Sequence, residues 1–309
     1  MAFLHRPPIN CLGVDVAADS LVISDGRTVA NRRTTIRALL KTAKPDFVIC
    51  EPTGGHEFQL LEECLKAGIA CHRADTLKLK SFIRSFGTLG KSDAIDAAGM
   101  AAYGRERWQS LPLWQRPDPD EQHLQMLVRR RTGLVAFKVA EQNRSKAPGA
   151  KTLAASFKAM LAFLGRQITM IDAAIAAIVA RNQVLKRRAA ICTAMNGIGF
   201  CTAAALIALM PELGFIDRRQ AAALAGTAPH PNESGLFKGQ RRIRGGRPEI
   251  RTVLFMPALR AAAAKGEFAT FYKRLVTNGK KPILAIAAVM RKIIVTLNAR
   301  LRDDCVLQS

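Results

Sequence analysis

Four acidic residues stand out in the N-terminal third of the chain, and the first two adjoin apolar runs. Asp15 lies inside the run at 13–16, where a carboxylate is disfavoured by strand propensity and by the cost of burying a charge without a cation. Glu51 follows the apolar run at 47–50 and leads into Pro-Thr-Gly-Gly at 52–55. Glu51 is therefore expected at the end of a strand, where an α/β sheet presents its ligands.

Asp93 and Asp96 complete this acidic set. They are three residues apart at the start of a predicted helix, so both side chains would lie on one face of it. Carboxylate oxygens are the ligands that hard divalent cations such as Mg²⁺ prefer, and two such ions about 3.5 to 4 Å apart can assist substitution at phosphorus. Taken singly, Asp93 is also explained as a helix N-cap or first-turn acid, and Glu51 as a turn residue.

A second group of candidate residues lies in the glycine-rich segment 234–251. Against one acid, Glu249, its basic residues are Lys238, Arg241, Arg242, Arg244, Arg247 and Arg251. Arginine matches phosphate oxygens bidentately and glycine permits close backbone approach, so a nucleic-acid backbone is the expected ligand. Ser234, beside Gly235, is a candidate nucleophile at phosphorus, although a serine beside a glycine is more often an ordinary turn residue.

Gly197 and Gly199 form a third motif, Asn-Gly-Ile-Gly at 196–199, followed by a small-residue and apolar run. This pattern is typical of a helix-hairpin-helix, in which glycines let backbone N–H groups and a helix N-terminus approach a phosphate. A glycine-containing turn between two helices explains the same residues equally well.

The elements that must position these residues divide the chain into three predicted domains. Residues 1–110 alternate β-rich runs at 11–16, 21–24, 47–50 and 69–72 with helical patterns at 35–43 and 58–67, which predicts an α/β layer domain. Prolines in 111–120 suit a boundary. Residues 111–187 show a helical period over 121–143 and 152–186, which predicts either an antiparallel helical pair or a dimer-forming coiled coil. Residues 188–309 form the third predicted domain, which is mainly helical.

The composition is that of a folded, basic protein. The 309 residues carry a net charge of +23, and 49% of them are hydrophobic, which excludes a disordered tail as the source of the charge. Residues 1–110 hold 15 basic and 12 acidic residues, whereas residues 111–309 hold 32 and 12. A nucleic acid is the first expected partner and an anionic membrane the second.

Cysteine usage and targeting signals bear on the compartment. The 7 cysteines contain no C-x-x-C motif, which indicates a reducing cytoplasm and no zinc site. Charges and prolines within residues 1–8 argue against a signal peptide. The uncharged segment 189–211 is divided by polar residues and glycines, so we interpret it as a turn between helices and not as a membrane span.

The ordered motifs resemble those of one group of insertion-sequence transposases. Its N-terminal DEDD domain is matched by Gly-Val-Asp15-Val, Glu51-Pro-Thr-Gly-Gly and Gly-Lys-Ser-Asp93-Ala-Ile-Asp96-Ala. Its C-terminal serine domain is matched by Asn196-Gly-Ile-Gly, Pro211-Glu-Leu-Gly, Ala223-Leu-Ala-Gly-Thr-Ala-Pro, Ser234-Gly, Gly245-Gly-Arg and Met290-Arg-Lys-Ile. The chain thus resembles the bridge-RNA-guided transposases, or recombinases, of the insertion-sequence one-ten family, and its C-terminal part most resembles their eleven-eleven subgroup.

This resemblance implies a fold and a chemistry. The fold is an N-terminal RuvC-like domain of the RNase H type, a long helical linker or coiled coil, and a mainly helical C-terminal serine domain. Mg²⁺ would be held by Asp15, Glu51, Asp93 and Asp96, and Ser234 would form a phosphoserine link to DNA. The implied partners are donor and target DNA, a noncoding bridge RNA and further copies of the chain in a dimer or tetramer. No membrane partner is implied, and the expected location is the prokaryotic cytoplasm at the nucleoid.

Three functions compete on the sequence alone. The first is a DNA strand-exchange enzyme in which Ser234 attacks a phosphodiester and a DNA 3′-hydroxyl leaves. The second is a nuclease like a Holliday-junction resolvase, which uses the carboxylates and water and forms no covalent adduct. The third is a non-catalytic basic nucleic-acid-binding protein, which would leave the placement of Asp15 and of the Asp93/Asp96 pair unexplained.

Overall fold

The computed structural model describes residues 2–87, 90, 92–235, 237–239 and 241–306, and of residues 237 and 238 it describes the backbone. The chain forms two compact units, Met1–Arg116 and Pro117–Ser309. The division falls inside the proline-containing segment 111–120. The three-domain division at residues 110 and 187 stays a prediction.

The first unit is a mixed α/β domain around a five-stranded sheet. Its strands are β1 (Cys11–Val16), β2 (Ser20–Ile23), β3 (Thr28–Ala30), β4 (Phe47–Cys50) and β5 (Ala70–Arg73). Its helices are α1 (Arg33–Ala43), α2 (Phe58–Lys66), α3 (Thr76–Ser85) and α4 (Asp93–Arg107), followed by the 3₁₀ turn Trp108–Ser110. The strand order is β3-β2-β1-β4-β5, with β1, β2 and β3 antiparallel and β1, β4 and β5 parallel. This sheet is consistent with the expected RuvC-like domain.

Alternation along the strands gives the sheet two different faces. Leu12, Val14 and Val16 of β1 pack with residues of α1 and α2. The intervening positions face α3 and α4, because Cys11 packs in a second cluster with Met100 of α4. Asp15 shares this parity and lies on the α4 face.

The second unit is mainly helical. Its helices are α5 (Pro119–Arg144), α6 (Ala154–Arg181), α7 (Gln183–Thr193), α8 (Phe200–Leu209), α9 (Arg218–Leu224), α10 (Pro248–Ala263), α11 (Glu267–Thr277) and α12 (Pro282–Val306), with a 3₁₀ turn at Ala150–Leu153. Four two-residue strands lie between α9 and α10, namely β6 (Pro229–His230), β7 (Glu233–Ser234), β8 (Phe237–Lys238) and β9 (Arg242–Ile243). They pair as β6 with β9 and as β7 with β8.

Helices α5 and α6 form the predicted antiparallel pair. Arg131 bonds Asp172, and Arg181 near the end of α6 bonds Asp120 near the start of α5. The prediction that the second helix runs over 152–186 is wrong at its C-terminal end, because α6 ends at Arg181. The side chain of Asn182 accepts a hydrogen bond from the N–H of Leu185 at 3.1 Å and so caps a new helix, α7.

The apolar segment 189–211 contains a turn between two helices, as predicted, since α7 ends at Thr193 and α8 begins at Phe200. Two other stretches, Ala150–Arg181 and Pro282–Val306, are long and apolar enough to cross a membrane by length and composition. A core helix of a water-soluble protein meets the same criterion, and α12 contributes nine buried residues to its unit, among them Val289 and Leu297.

Candidate active site and nucleic-acid interface

Asp15 and Glu51 are brought together by two neighbouring parallel strands. Val14 of β1 is in register with Cys50 of β4, so the next residue of each chain segment is Asp15 on one and Glu51 on the other. Phe47 and Ile49 pack on the α4 face of the sheet, and continued alternation carries Glu51 to that same face. Both carboxylates therefore lie at one end of the sheet, on one side.

Helix α4 reaches this side of the sheet because Gly13 has no side chain. A Cβ on Gly13 would lie 2.5 Å from the N atom of Ala101 and 2.9 Å from Cβ of Met100. The helix backbone thus passes directly over β1, two residues from Asp15. The first turn of α4 contains Asp93 and Asp96, and its N-cap is Ser92, which accepts a hydrogen bond from Ile95 at 3.2 Å. Asp93 is therefore a first-turn acid and not the cap.

The four predicted carboxylates interact electrostatically. Burial raises the pKa of Asp15, the negative charges of Asp93, Glu51 and Asp96 raise it further, and a hydrogen bond from the N–H of Val16 opposes them. Glu51 has a buried oxygen, Oε2, that accepts no hydrogen bond from any described residue. Asp15 therefore lies among other negative charges, and Glu51 has an oxygen without a hydrogen-bond donor among the described residues.

The donor set fits a hard divalent cation, since every candidate ligand is a carboxylate oxygen. Among the described residues, no three histidine, cysteine, aspartate or glutamate side chains already stand at metal-binding distance from one another. The four carboxylates are close enough to repel one another, but they do not form a complete metal site.

Glu57 is a further residue of this region that we did not predict. It is fully buried, and its Oε2 accepts hydrogen bonds from the N–H of Thr53 at 3.0 Å and from the N–H of Gly55 at 2.8 Å. Its Oε1 accepts one from Nε of Arg73 at 2.8 Å. Burial opposes the charge of Glu57, but these donors hold its pKa below the usual value. Glu57 thus fixes the loop that follows Glu51.

Ser234 lies near the tip of a β-hairpin in the second unit. The hairpin starts with the pair β6 and β9 and continues through Gly239, whose N–H donates to the carbonyl of Asn232 at 2.9 Å, to the pair β7 and β8. Ser234 is exposed, and the next residue, Gly235, has a φ of 54°, a conformation that favours glycine in a turn. The described residues between Pro229 and Ile243 thus form a narrow hairpin.

Close packing of glycines anchors the base of this hairpin. A Cβ on Gly246 would lie 2.5 Å from the carbonyl oxygen of Ala223 and 2.5 Å from Cα of Gly226, so the two glycine segments touch through their backbones. The N–H of Arg247 donates to the carbonyl of Leu224 at 2.8 Å. The two motifs around Gly226 and Gly245 therefore pack directly against each other.

The basic residues predicted to bind nucleic acid differ in their surroundings. Arg247 holds Glu212 through two hydrogen bonds of 2.9 and 2.6 Å, and Arg251 donates to the carbonyl of Gly245 at 2.6 Å. Arg241 lies 3.5 Å from Glu233. Arg242 and Arg244 are exposed, and neither forms an ion pair with a described residue. The side chain of Lys238 lies outside the described part of the chain.

The motif at 196–199 connects α7 to α8. Gly197 has a φ of 92°, and a Cβ there would lie 3.4 Å from the carbonyl oxygen of Pro257 in α10. Gly199 is the N-cap of α8 and has no side chain to satisfy the first N–H groups of that helix. Two helices joined by a glycine turn are compatible with both interpretations of this motif, the helix-hairpin-helix and the ordinary turn. Nucleic-acid binding there stays a prediction.

Sequence models of known families match both units. A transposase DEDD domain of the IS110 type matches residues 12–148, and a domain described as "Transposase IS116/IS110/IS902 family" matches residues 189–273. The first match contains all four predicted carboxylates, and the second contains Ser234 and the hairpin that carries it. The chain is a transposase of the insertion-sequence one-ten (IS110) family.

Relatives from three bacterial species agree with this membership. The pilin gene-inverting proteins of Moraxella lacunata and Moraxella bovis are 26% and 27% identical to this chain over 265 residues, which is 83% of this chain and 80% of theirs. An uncharacterised 43.6 kDa protein of insertion element IS110 from Streptomyces coelicolor is 31% identical over 119 residues, which is 38% of this chain and 29% of that protein.

Proposed function

We propose that this transposase exchanges DNA strands by a covalent route, with Ser234 as the nucleophile and Asp15, Glu51, Asp93 and Asp96 as ligands of Mg²⁺. The observation that carries the metal assignment is the repulsion at Asp15, where the negative charges of Asp93, Glu51 and Asp96 add to burial in raising the pKa. A divalent cation bound there would neutralise this charge and polarise a phosphodiester. The buried Oε2 of Glu51, which has no hydrogen-bond partner among the described residues, supports the same assignment.

The proposed serine step conserves the phosphodiester bond. The Oγ of Ser234 forms a bond to phosphorus, the bond from phosphorus to the DNA 3′-oxygen breaks, and the hydroxyl proton passes to solvent. The leaving 3′-oxygen takes up a proton. Attack by another DNA 3′-hydroxyl on the phosphoserine then rejoins a strand and restores Ser234, so no high-energy cofactor is consumed.

The name of the Moraxella relatives favours transfer over hydrolysis. A gene-inverting protein must rejoin every end that it cuts, and a covalent intermediate holds each end until it is rejoined. Ser234 is exposed near the tip of the hairpin, and the exposed Arg242 and Arg244 lie at its base. This position suits a nucleophile that must reach a phosphate.

The proposal includes the partners that the resemblance implies. Donor and target DNA are recognised with a noncoding bridge RNA, as in the eleven-eleven subgroup, and the working enzyme is a dimer or tetramer. The helical pair of α5 and α6, with exposed Phe137, Phe163 and Met170, is the segment we assign to self-association. The expected location is the cytoplasm, at the nucleoid.

A covalent adduct tests this proposal. The protein, purified with its RNA, is incubated with Mg²⁺ and end-labelled DNA that carries the flanks of its own gene, and the products are resolved on a denaturing gel. We expect a protein–DNA band that Ser234→Ala abolishes, with the complex still assembled, because an exposed hydroxyl usually changes stability by no more than about 0.5 kcal/mol. Ser156→Ala, an exposed serine of α6, is the matched control and should keep the band.

Two results would contradict the proposal in different ways. An adduct that survives in Ser234→Ala identifies another nucleophile. Mg²⁺-dependent cleavage by the unaltered protein without any adduct identifies water as the nucleophile, and the resolvase-like function then replaces strand exchange.

A further inference from the structure

A cavity of about 930 Å³ opens at the base of the Ser234 hairpin, within the second unit. One wall is the hairpin itself, through Pro229 of β6 and Ile243 of β9. The other wall is the turn between α11 and α12, through Gly279, Lys280 and the first turns of α12. None of the family motifs that mark the serine domain includes this turn.

The charge at the rim of the cavity has one sign. Five cationic side chains line it, and no aspartate or glutamate is among the described residues that do so; the cations are Arg241, Arg242, Lys280, Lys281 and Arg291. Arg241 has Glu233 at 3.5 Å. The other four are exposed and form no ion pair with a described residue. A ligand with several negative charges would complement this rim.

The floor of the cavity is apolar and accessible. Ile243, Ile283 and Leu284 are 40%, 58% and 52% exposed. A second cavity of about 490 Å³ shares Ile243, Ile283 and Ala287 with the first, and it adds Phe255 and Met256, which are also exposed. The two cavities form one groove, with five cations around the first cavity and with Phe255 and Arg251 in the second.

We propose that this groove binds unpaired bases of single-stranded DNA next to the reacting phosphate. Cations that follow a phosphate backbone beside apolar and aromatic surfaces for base faces are the common features of single-strand binding sites. Phosphates alone would leave the apolar floor without a partner, and duplex DNA keeps its base faces stacked inside the helix. The groove therefore holds a strand that has been separated.

The hairpin relates this groove to the site of reaction. Ser234 lies five positions after Pro229 at the groove, and a fully extended chain over five positions spans at most about 18 Å. At 3.4 Å per nucleotide of a stacked strand, this is roughly five nucleotides. The inference rests on the proposed function of Ser234 for its biological meaning, but binding of single strands in the groove is measurable without any catalysis.

The test compares single-stranded with duplex DNA. Fluorescence anisotropy would measure the affinity of the full-length Ser234→Ala protein, in EDTA, for a labelled oligothymidylate, the matching duplex and an oligouridylate. In that background, Ala287→Trp fills the groove without changing charge. We expect it to weaken oligothymidylate binding by at least about fivefold, the effect of losing one stacked base, and to leave the duplex affinity within about twofold.

Substitutions that remove positive charge provide a second test of the groove. Lys280→Gln with Lys281→Gln should weaken oligothymidylate binding more than the control pair Lys265→Gln with Lys273→Gln, which removes the same charge from positions outside the groove. If Ala287→Trp fails to fold by circular dichroism, Leu284→Asn removes apolar surface at a half-exposed position and takes its place.

The inference is overturned by equal losses for single strands and duplex in Ala287→Trp, by no loss for either, or by binding of oligouridylate without oligothymidylate. It is also overturned if vesicles of anionic phospholipid compete with the oligonucleotide and lose their affinity in Ala287→Trp. Because every measurement uses a protein without Ser234 and without metal, a failure here is independent of whether strand exchange occurs.

Discussion

At the scale of single residues, the surroundings of Asp15 act against the stability of the fold. Its pKa is raised by burial and by three neighbouring carboxylates, so the folded protein binds a proton there more readily than the unfolded chain does. Between the ordinary pKa near 3.8 and the raised value, the stability contributed by protonated Asp15 is lost as the pH rises. At neutral pH the ionised carboxylate therefore destabilises the metal-free fold.

Asp15→Asn should consequently stabilise the protein while removing its activity. In EDTA at neutral pH we expect a higher melting temperature, by about 2–4 °C for each kcal/mol of repulsion relieved. The gain should shrink as the pH falls toward the ordinary pKa of 3.8 and vanish well below it, where Asp15 is protonated in both the folded and the unfolded chain. Thermal unfolding followed by circular dichroism measures the shift, and Mg²⁺-dependent cleavage should be lost in the same variant.

The control is Asp25→Asn. Arg27 lowers the pKa of Asp25 through a side-chain hydrogen bond, so this substitution should destabilise the fold at neutral pH. A stability change of the same sign in both variants would contradict the assigned repulsion at Asp15.

The sequence allowed some residues of the candidate site to be predicted and not others. Asp15 could be identified because a charged residue within an apolar strand conflicts with its own surroundings. Glu57 could not, because nothing in the local sequence distinguishes an acid that turns inward to hold Thr53 and Gly55 from one that faces water. Nor could a count of arginines reveal that Arg247 holds Glu212, whereas Arg242 is exposed.

At the scale of elements, long apolar runs predicted structure and short or mixed ones did not. Strands β1 and β4 lie where predicted, because their sequences, apolar apart from Asp15, suit strands buried on both faces. We missed β3, an edge strand of three residues, and α3, whose apolar positions are interleaved with lysines. The end of α6 was missed because one cap, Asn182, interrupts an otherwise unbroken helical period.

Gly13 is the position on which the packing of α4 depends. Gly13→Ala would place a methyl group against the backbone of α4 at Ala97 and Ala101, where no flexible side chain can yield. We expect a loss of about 1–3 kcal/mol in unfolding free energy, the usual cost of overpacking, together with loss of cleavage as Asp93 and Asp96 move away from Asp15. Urea unfolding and the cleavage assay measure the two effects.

Gly133→Ala is the matched control for Gly13→Ala. Gly133 lies inside α5, and a Cβ there would meet no atom of a neighbouring element within 4 Å. Alanine at this position should therefore stabilise the helix by roughly 0.5–1 kcal/mol. If Gly13→Ala were equally harmless, α4 would not be held over β1 by the close approach at Gly13.

At the scale of the whole molecule, the two units differ in net charge. The carboxylates lie in the unit whose sequence is nearly neutral, and most of the net charge of +23 comes from residues 111–309. An acidic cluster in a strongly basic unit would attract the cations of its own chain. With the two in different units, the proposed metal ligands and the proposed phosphate-binding arginines do not neutralise each other within one unit.

This distribution predicts how binding responds to salt. Each phosphate bound on duplex DNA releases counterions and contributes roughly −0.9 to the slope of log affinity against log salt. Replacing Arg241, Arg242 and Arg244 together by glutamine should flatten the slope by about 0.9 for every phosphate that these arginines bind. Filter binding over a range of potassium chloride concentrations measures the slope. The control is the triple replacement of Arg32, Lys41 and Lys80, exposed residues of the first unit. It removes an equal charge, so an equal change in slope would show that net charge, and not the hairpin, governs contact with DNA.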